Sequence, residues 1–251
     1  MVRRATYRLR MQNMVSDSSR IKTQPLLPRH VFSRGVGLLI LGCLLTPLAS
    51  GAESARKLFN GHNLDGWHAY LSDHRVGMGD VWSVQDGILI CKGEPMGYLF
   101  TKEAFTSFRV NLEWRWAPGE KPGNSGLLMR INGKPMPLPR SLEMQLKSGS
   151  AGDLYGFHGM KLAGAAARLT SSKGGELAGD LVSVGKMQAN EKTPGEWNVA
   201  EVTLDGGKLE VRVNGLLVNE ATDCEVVAGP IALQSEGGEV HFRKVEITPL
   251  P

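Results

Sequence analysis

The sequence predicts an all-β domain of two stacked antiparallel sheets, and three observations carry that prediction. Apolar and polar residues alternate with period two in segment after segment, the pattern of strands with one buried face. Turn-forming pairs stand between those segments. The 251 residues include 31 Gly and 13 Pro, with few long apolar stretches of helical period and no strong amphipathic helix of three turns. A 41% apolar content with seven Phe and five Trp excludes a disordered chain.

Taken in order, the first 52 residues read as an address. Residues 35–48 (GVGLLILGCLLTPL) are apolar and uncharged, follow Arg29, His30 and Arg34, and precede Ala49-Ser50-Gly51-Ala52. Charged, apolar and small-residue zones in that order are those of a secretory signal, and the run is shorter than the ~20 residues of a membrane-spanning helix. An exported domain over 53–251, periplasmic or extracellular, with no stable membrane span is therefore expected. Residues 1–52 hold eight basic side chains and one acid, which leaves 21 basic and 24 acidic residues in the domain. Its charge of −3 argues against nucleic acid, which needs clustered cations. With Cys43 in the leader, Cys91 and Cys224 remain; a disulfide is permitted in an oxidising compartment, and two buried free thiols are equally ordinary.

Within the domain, Phe108, Val110, Leu112, Trp114 and Trp116 share one face of a strand, and Arg109, Asn111, Glu113 and Arg115 the other. In residues 141–147, Leu142, Met144 and Leu146 oppose Ser141, Glu143, Gln145 and Lys147. In 208–214, Leu209, Val211 and Val213 oppose Glu210, Arg212 and Asn214. Asp205-Gly206-Gly207 and Asn214-Gly215 are hairpin turns between such runs. About a dozen strands of this kind imply a sandwich. Residues 157–192, rich in Gly, Ala, Ser and Lys, interrupt the rhythm with one weak strand at 181–184 and read as a long loop, either a lid or a surface insertion.

Nine phrases occur in a fixed order: KLFNGHNLDGW (57–67), VWSVQDGILI (81–90), GYLFTKEAFTSFRVNLEWRW (97–116), PGNSGLLMRI (122–131), SLEMQL (141–146), GDLYG (152–156), GEWNVAEV (195–202), VRVNGLLVNEATD (211–223) and GPIALQSEGGEVHFRKVEI (229–247). This order resembles the 3-keto-disaccharide hydrolase domain family over essentially all of 53–251. The resemblance implies a concanavalin A-like jelly-roll sandwich. It also implies action on glycosides already oxidised to a ketone at C3, by hydrolysis or by elimination across C1–C2. The 157–192 segment departs from it, since many relatives have a short link there.

Ordinary glycoside hydrolysis uses two flanking carboxylates. Glucanases of similar architecture carry them as Glu-x-Asp-x-x-Glu, a run absent here; the nearest analogue is Glu143-Met144-Gln145. A C3 ketone changes the requirement, because it acidifies C2–H. The site then needs a base, donors for the enolate oxygen and a proton for the leaving group. Glu143 is the first choice for the base, with Gln145 and Arg130 as substrate or oxyanion donors. Asp153 and His158 are candidates for the second acid/base function, with Tyr155 beside them as a substrate contact. Asn124, Gln234, Glu236 and Arg243 complete the substrate-binding candidates.

Plainer roles stand beside these. Glu143 and Gln145 could be solvated sheet residues, Arg130 an ion-pair partner, Tyr155 a core ring, and His158 a loop residue. Asn124-Ser125-Gly126 is turn chemistry, and Trp67, Trp82 and Trp197 read as core rings. No cofactor is firmly implied; a divalent cation held by Glu143 and Asp153 oxygens is possible. The chain has no GxGxxG or GxxxxGK[ST] motif, so the ketone must come from a separate oxidoreductase, a partner alongside the carbohydrate substrate. A non-catalytic carbohydrate-binding module is the alternative, since the architecture serves both.

Overall fold

The computed structural model describes residues 54–251, so the leader, its secretory signal and Cys43 lie outside the described residues. The alternation becomes strands: β1 (Arg56–Lys57), β2 (Trp67–Leu71), β3 (Trp82–Gln85), β4 (Ile88–Cys91), β5 (Gly97–Thr101), β6 (Phe108–Trp116), β7 (Gly126–Asn132), β8 (Arg140–Gln145), β9 (Leu154–Gly156), β10 (Leu169–Gly175), β11 (Gly179–Val184), β12 (Asn198–Asp205), β13 (Lys208–Val213), β14 (Leu216–Ala221), β15 (Ala232–Ser235) and β16 (Val240–Pro249). The helical content of the described residues is one four-residue turn, α1 (Met78–Val81), whose first turn is closed by Gly77 N donating to Asp80 Oδ2. In β6 the residues Phe108, Val110, Leu112, Trp114 and Trp116 are buried and the intervening ones are not, as the period requires.

The strands form two antiparallel sheets. The first runs β14-β13-β12-β6-β16-β4-β3, with β1 added on β16; the second runs β10-β11-β9-β8-β7-β15-β5-β2. Neighbours far apart in sequence, such as β6 beside β16 and β7 beside β15, give the chain crossovers between sheets. The core fills the space between them, with Leu89, Phe108, Leu112, Trp114 and Phe242 meeting Leu99, Leu127, Met129, Leu142, Met144 and Leu233. Each such burial contributes roughly 1.5–3 kcal/mol against the exposed state. Trp67 and Trp82 are core rings as expected. Cys91 and Cys224 are separate buried thiols, whose burial pushes them up to about 12 and about 11. No helix of the described residues is long and apolar enough to cross a membrane.

The 157–192 segment is not the loop the composition suggests. It carries the β10–β11 hairpin, which pairs through β11 with β9 and ends the second sheet. β10 is exposed at every residue. An edge strand solvated on both faces has no reason to alternate, so its Thr-Ser-Ser-Lys-Gly-Gly sequence hides it. A Lys173–Asp180 ion pair at 2.8 Å ties the hairpin across its strands.

A smaller apolar cluster lies on the other face of the second sheet: Tyr98, Leu128, Leu138, Phe157 and Ala232, with the half-buried Tyr70, Phe100, Tyr155 and Leu181 against it. The connection between β7 and β8 therefore folds over this outer face, which is walled rather than open.

Asn214-Gly215 forms the β13–β14 turn with φ of 50° and 81°, the conformation that favours Asn-Gly. The Asn214 side chain does more than turn the chain. Its amide donates to Asn190 O (2.6 Å) and Asn198 Oδ1 (2.9 Å), while its oxygen accepts from Val199 N (2.9 Å). Asn214→Ala is expected to destabilise the domain by about 1–3 kcal/mol, measured as a lower urea midpoint with an unchanged slope.

Candidate active site

Strand β8 presents Leu142 and Met144 to the core, so Glu143 and Gln145 face outward, into the walled side of the second sheet. Glu143 pairs with Leu128 of β7 and Tyr155 of β9, and Gln145 with Gly126. The Glu143 carboxyl leans over Gly126: a Cβ there would lie 1.9 Å from Oε1. The Asn-Ser-Gly phrase is thus not a turn. Ser125 Oγ donates to Gln234 O (2.8 Å), and Gly126 opens a gap in strand β7 that the carboxyl occupies.

The neighbours of that gap are polar. Gln234, on β15, is buried, hydrogen-bonds Glu236, and keeps its Oε1 without a partner. Asn124 donates its backbone N–H to Gly237 O (2.8 Å), and its buried Oδ1 is also unpartnered. Gln145 turns its Oε1 back onto Leu146 N (2.9 Å) and Lys147 N (2.8 Å), which leaves its NH2 as a donor. Tyr155 is half-buried opposite Glu143, its ring stacked on Phe157 at 5.9 Å. Glu143, Gln145, Tyr155 and Gln234 are thus gathered on one sheet face, with Asn124 just before β7 and Glu236 just after β15.

The electrostatics follow from this enclosure. Glu143 is 1% exposed with Oε1 unpartnered, and burial first, then the Glu236 charge, holds its carboxyl well above the usual range. Burial also raises Glu236, opposed by the Lys147 charge and the Gln234 hydrogen bond. Tyr155 is raised by burial, then by Asp153 and Glu143, so its hydroxyl keeps its proton and serves as a donor. Unpartnered acceptor oxygens beside donors suit a polyhydroxylated ligand, which brings both.

Three other candidates are placed elsewhere, and a fourth, Asp153, pairs through its backbone with Gln145 but spends its carboxylate on Lys186. Arg130 is fully buried, but its guanidinium donates to Thr106 O (2.8 Å), Gly206 O (2.8 Å) and Glu225 O, at one end of the sandwich. Its φ of 53° and the register shift between Met129 and Asn132 swing it off the face that alternation assigns it. Arg243 belongs to the first sheet, is exposed, pairs with Glu113 and lies 4.4 Å from the Trp197 ring centroid; Arg115 lies 4.6 Å from the same ring. Trp197 is accordingly a half-buried surface ring and not a core one.

His158, at φ 53°, bonds Leu138 O (2.9 Å) and packs on Gly179. It lies beyond the end of β9, in the turn that follows Gly156, and not in Glu143's row. Asp153 Oδ1 accepts from Lys186 N (2.8 Å), with Lys186 Nζ at 3.8 Å, and so caps the chain leaving β11. Among the described residues no group of three or more His, Cys, Asp or Glu is arranged to hold a metal ion. The sequence reading missed Gly126 and Lys147 as site residues, although Lys147 shares the period-two face of Glu143. It also missed Tyr70, Tyr98 and Phe100, whose stacked and tilted rings (centroids 5.5 and 5.6 Å) build the wall.

Two outcomes follow. Gly126→Ala is expected to cost about 1–3 kcal/mol by crowding the carboxyl. In a Glu143→Ala background most of that cost disappears, a coupling of at least ~1 kcal/mol in a double-mutant cycle of denaturant midpoints. Secondly, a carboxyl raised in the folded state stabilises most below its unfolded value and loses that contribution as pH rises toward the folded value. Glu143→Gln should therefore match wild type near pH 4 and exceed it by about 2–4 °C in Tm near pH 7.5, checked by melts across pH.

The model of the 3-keto-alpha-glucoside-1,2-lyase-like domain matches residues 54–248. Among solved structures, the fold is similar to two proteins of Parabacteroides distasonis ATCC 8503 provisionally named glycosyl hydrolases. One is 19% identical with a TM-score of 0.58, covering 78% of this chain and 94% of its own. The other is 22% identical with a TM-score of 0.54, covering 78% and 100%. A β-glucanase of Bacillus licheniformis is similar at 11% identity and a TM-score of 0.50, covering 80% and 100%. Curated protein sequences give no match. At these identities the solved structures establish the jelly-roll sandwich alone, while the family match spans nearly every described residue and brings a carbohydrate-related role with it. The chain belongs to the 3-keto-alpha-glucoside-1,2-lyase-like domain family.

Proposed function

We propose that this protein is an exported enzyme that cleaves the glycosidic bond of 3-keto-glycosides, and that a separate oxidoreductase supplies the ketone. The observation that carries the reading is the Glu143 carboxyl, set into the gap over Gly126 with one oxygen unpartnered and a second carboxylate, Glu236, acting on it. A single buried carboxyl of this kind is costly and persists where chemistry uses it.

The C3 ketone makes the C2 proton acidic. A base removes it, and the electron pair moves onto the C3 oxygen as an enolate. The enolate then re-forms the carbonyl, a C1=C2 double bond forms, and the C1–O bond breaks toward a protonated leaving group. Water adding later to that double bond at C1 gives net hydrolysis. Donors near the enolate oxygen lower the barrier most when fixed in place; the Tyr155 hydroxyl, the Gln145 amide and Lys147 are suited to that task. The hydroxyls of the sugar can satisfy the Asn124 and Gln234 oxygens.

The test is release from a chromogenic 3-keto-glucoside beside its unoxidised parent, with and without a chelator. Release is expected from the keto substrate alone and should fall in Glu143→Ala, by at least ~100-fold when the same comparison is made with an alkyl aglycone. Sugar binding without release from either substrate would point instead to a binding module.

A further inference from the structure

Resting on that reading, we propose that the two carboxylates divide the work: Glu236 is the base that takes the C2 proton, and Glu143 is the acid that protonates the departing oxygen. The strand registers and the bend after β15 place them. β15 pairs with β7 through Ala232↔Leu128 and Leu233↔Leu127, and β7 pairs with β8 through Leu128↔Glu143 and Gly126↔Gln145. Continued by two residues, the first register sets Gln234 beside Gly126. β15 ends at Ser235, and Glu236 stands just past it, where Asn124 N donates to Gly237 O. Ala232 and Gln234 share a face of β15, one step of ~7 Å apart, and the chain bends directly after the strand, at Glu236. The Glu143 carboxyl, leaning over Gly126, lies in Gln234's row, and Glu236 lies near enough beyond it for its charge to act on Glu143.

The two environments differ as an acid's and a base's should. Glu143 is enclosed, with an unpartnered oxygen and neutral neighbours in Leu128, Tyr155, Gly126 and Gln234. A carboxyl there holds its proton until a basic oxygen arrives. Glu236 is half-buried at the open end, takes a hydrogen bond from Gln234, and feels the exposed Lys147 ammonium. Both contacts favour its charged form. The opposing influences on the two groups agree with this division, since the Lys147 and Gln234 effects bear on Glu236 and neither bears on Glu143.

Backbone packing fixes Glu236 in place. Gly237 and Gly238 have φ of 110° and 78°, and Gly237 N donates to Gly93 O at 2.7 Å. A Cβ on Gly123 would lie 1.8 Å from Gly237 O, and one on Gly93 would lie 2.4 Å from Gly238 O. Three chain segments thus meet main chain to main chain immediately after the base, a stiffness that suits a group needing accurate aim. The proton balance closes: Glu236 gains the C2 proton, Glu143 gives one to the leaving oxygen, and a transfer through solvent resets the pair.

Proton abstraction can be read apart from bond cleavage. In deuterated water, a 3-keto-1,5-anhydro sugar, which has no C1 leaving group, should lose its C2–H signal by NMR with the wild-type protein. Glu236→Gln should slow that exchange at least ~100-fold, and Glu236→Asp should retain part of it. Glu143→Gln should keep exchange within a few-fold of wild type while losing cleavage, more severely for methyl than for 4-nitrophenyl aglycones, because nitrophenolate leaves without a proton. Exchange that survives Glu236→Gln unchanged, or that stops in Glu143→Gln with the fold intact by circular dichroism, overturns the division. A wild-type protein that neither exchanges nor cleaves overturns the 3-keto reading itself.

Discussion

The carboxyl over Gly126 is the constraint around which the second sheet is arranged. An acid placed inside a sheet face loses its hydration, and a glycine in strand β7 gives up side-chain packing to make room for it. Both terms are unfavourable, and both sit in the middle of the sheet, where strands β7, β8 and β15 must still pair. The sandwich core beneath offsets them, since Leu127, Met129, Leu142, Met144 and Leu233 remain buried on the opposite faces of those same strands. Function and stability are therefore separated by the pleat: odd and even positions of one strand serve different ends.

The same pleat explains what could be read in advance. β6 was legible residue by residue because one face meets core and the other meets water. β8 was legible because its second face, though buried, is polar, and the face that carries Glu143 and Gln145 also pointed to Lys147. The sheet order was not legible, because β6 beside β16 or β7 beside β15 depends on pairings that no local pattern encodes. Arg243 was misgrouped on that account, belonging to the other sheet. Arg130 was misplaced for a different reason: a single positive φ breaks the alternation, and nothing in the sequence of a non-glycine residue announces that. The aromatic wall escaped notice because strand β5 has apolar residues on both faces, so no alternation sets its outer rings apart.

The outer face of the first sheet shows how charge is handled away from the site. There Trp197 lies between the Arg115 and Arg243 guanidiniums, at 4.6 and 4.4 Å, with Glu113 against Arg243. Such stacking contributes up to roughly 1 kcal/mol per contact at exposed positions. It covers an indole that would otherwise be an apolar patch. The second sheet does the reverse, leaving buried oxygens unpartnered, and the contrast marks which face is kept for a ligand.

The β10–β11 hairpin has a meaning beyond its place at the sheet edge. Every residue of β10 is exposed, and the hairpin touches the body through β11, so its length and composition can change with little effect on the core. Its turn, with Glu176 and Leu177, shares a recess with Met136, Pro137 and Leu138 of the connection that folds over the site face. Selection can thus rewrite the rim without disturbing the floor. A change of length or charge there would alter what can approach the site face while the buried carboxyl and its neighbours stay in place.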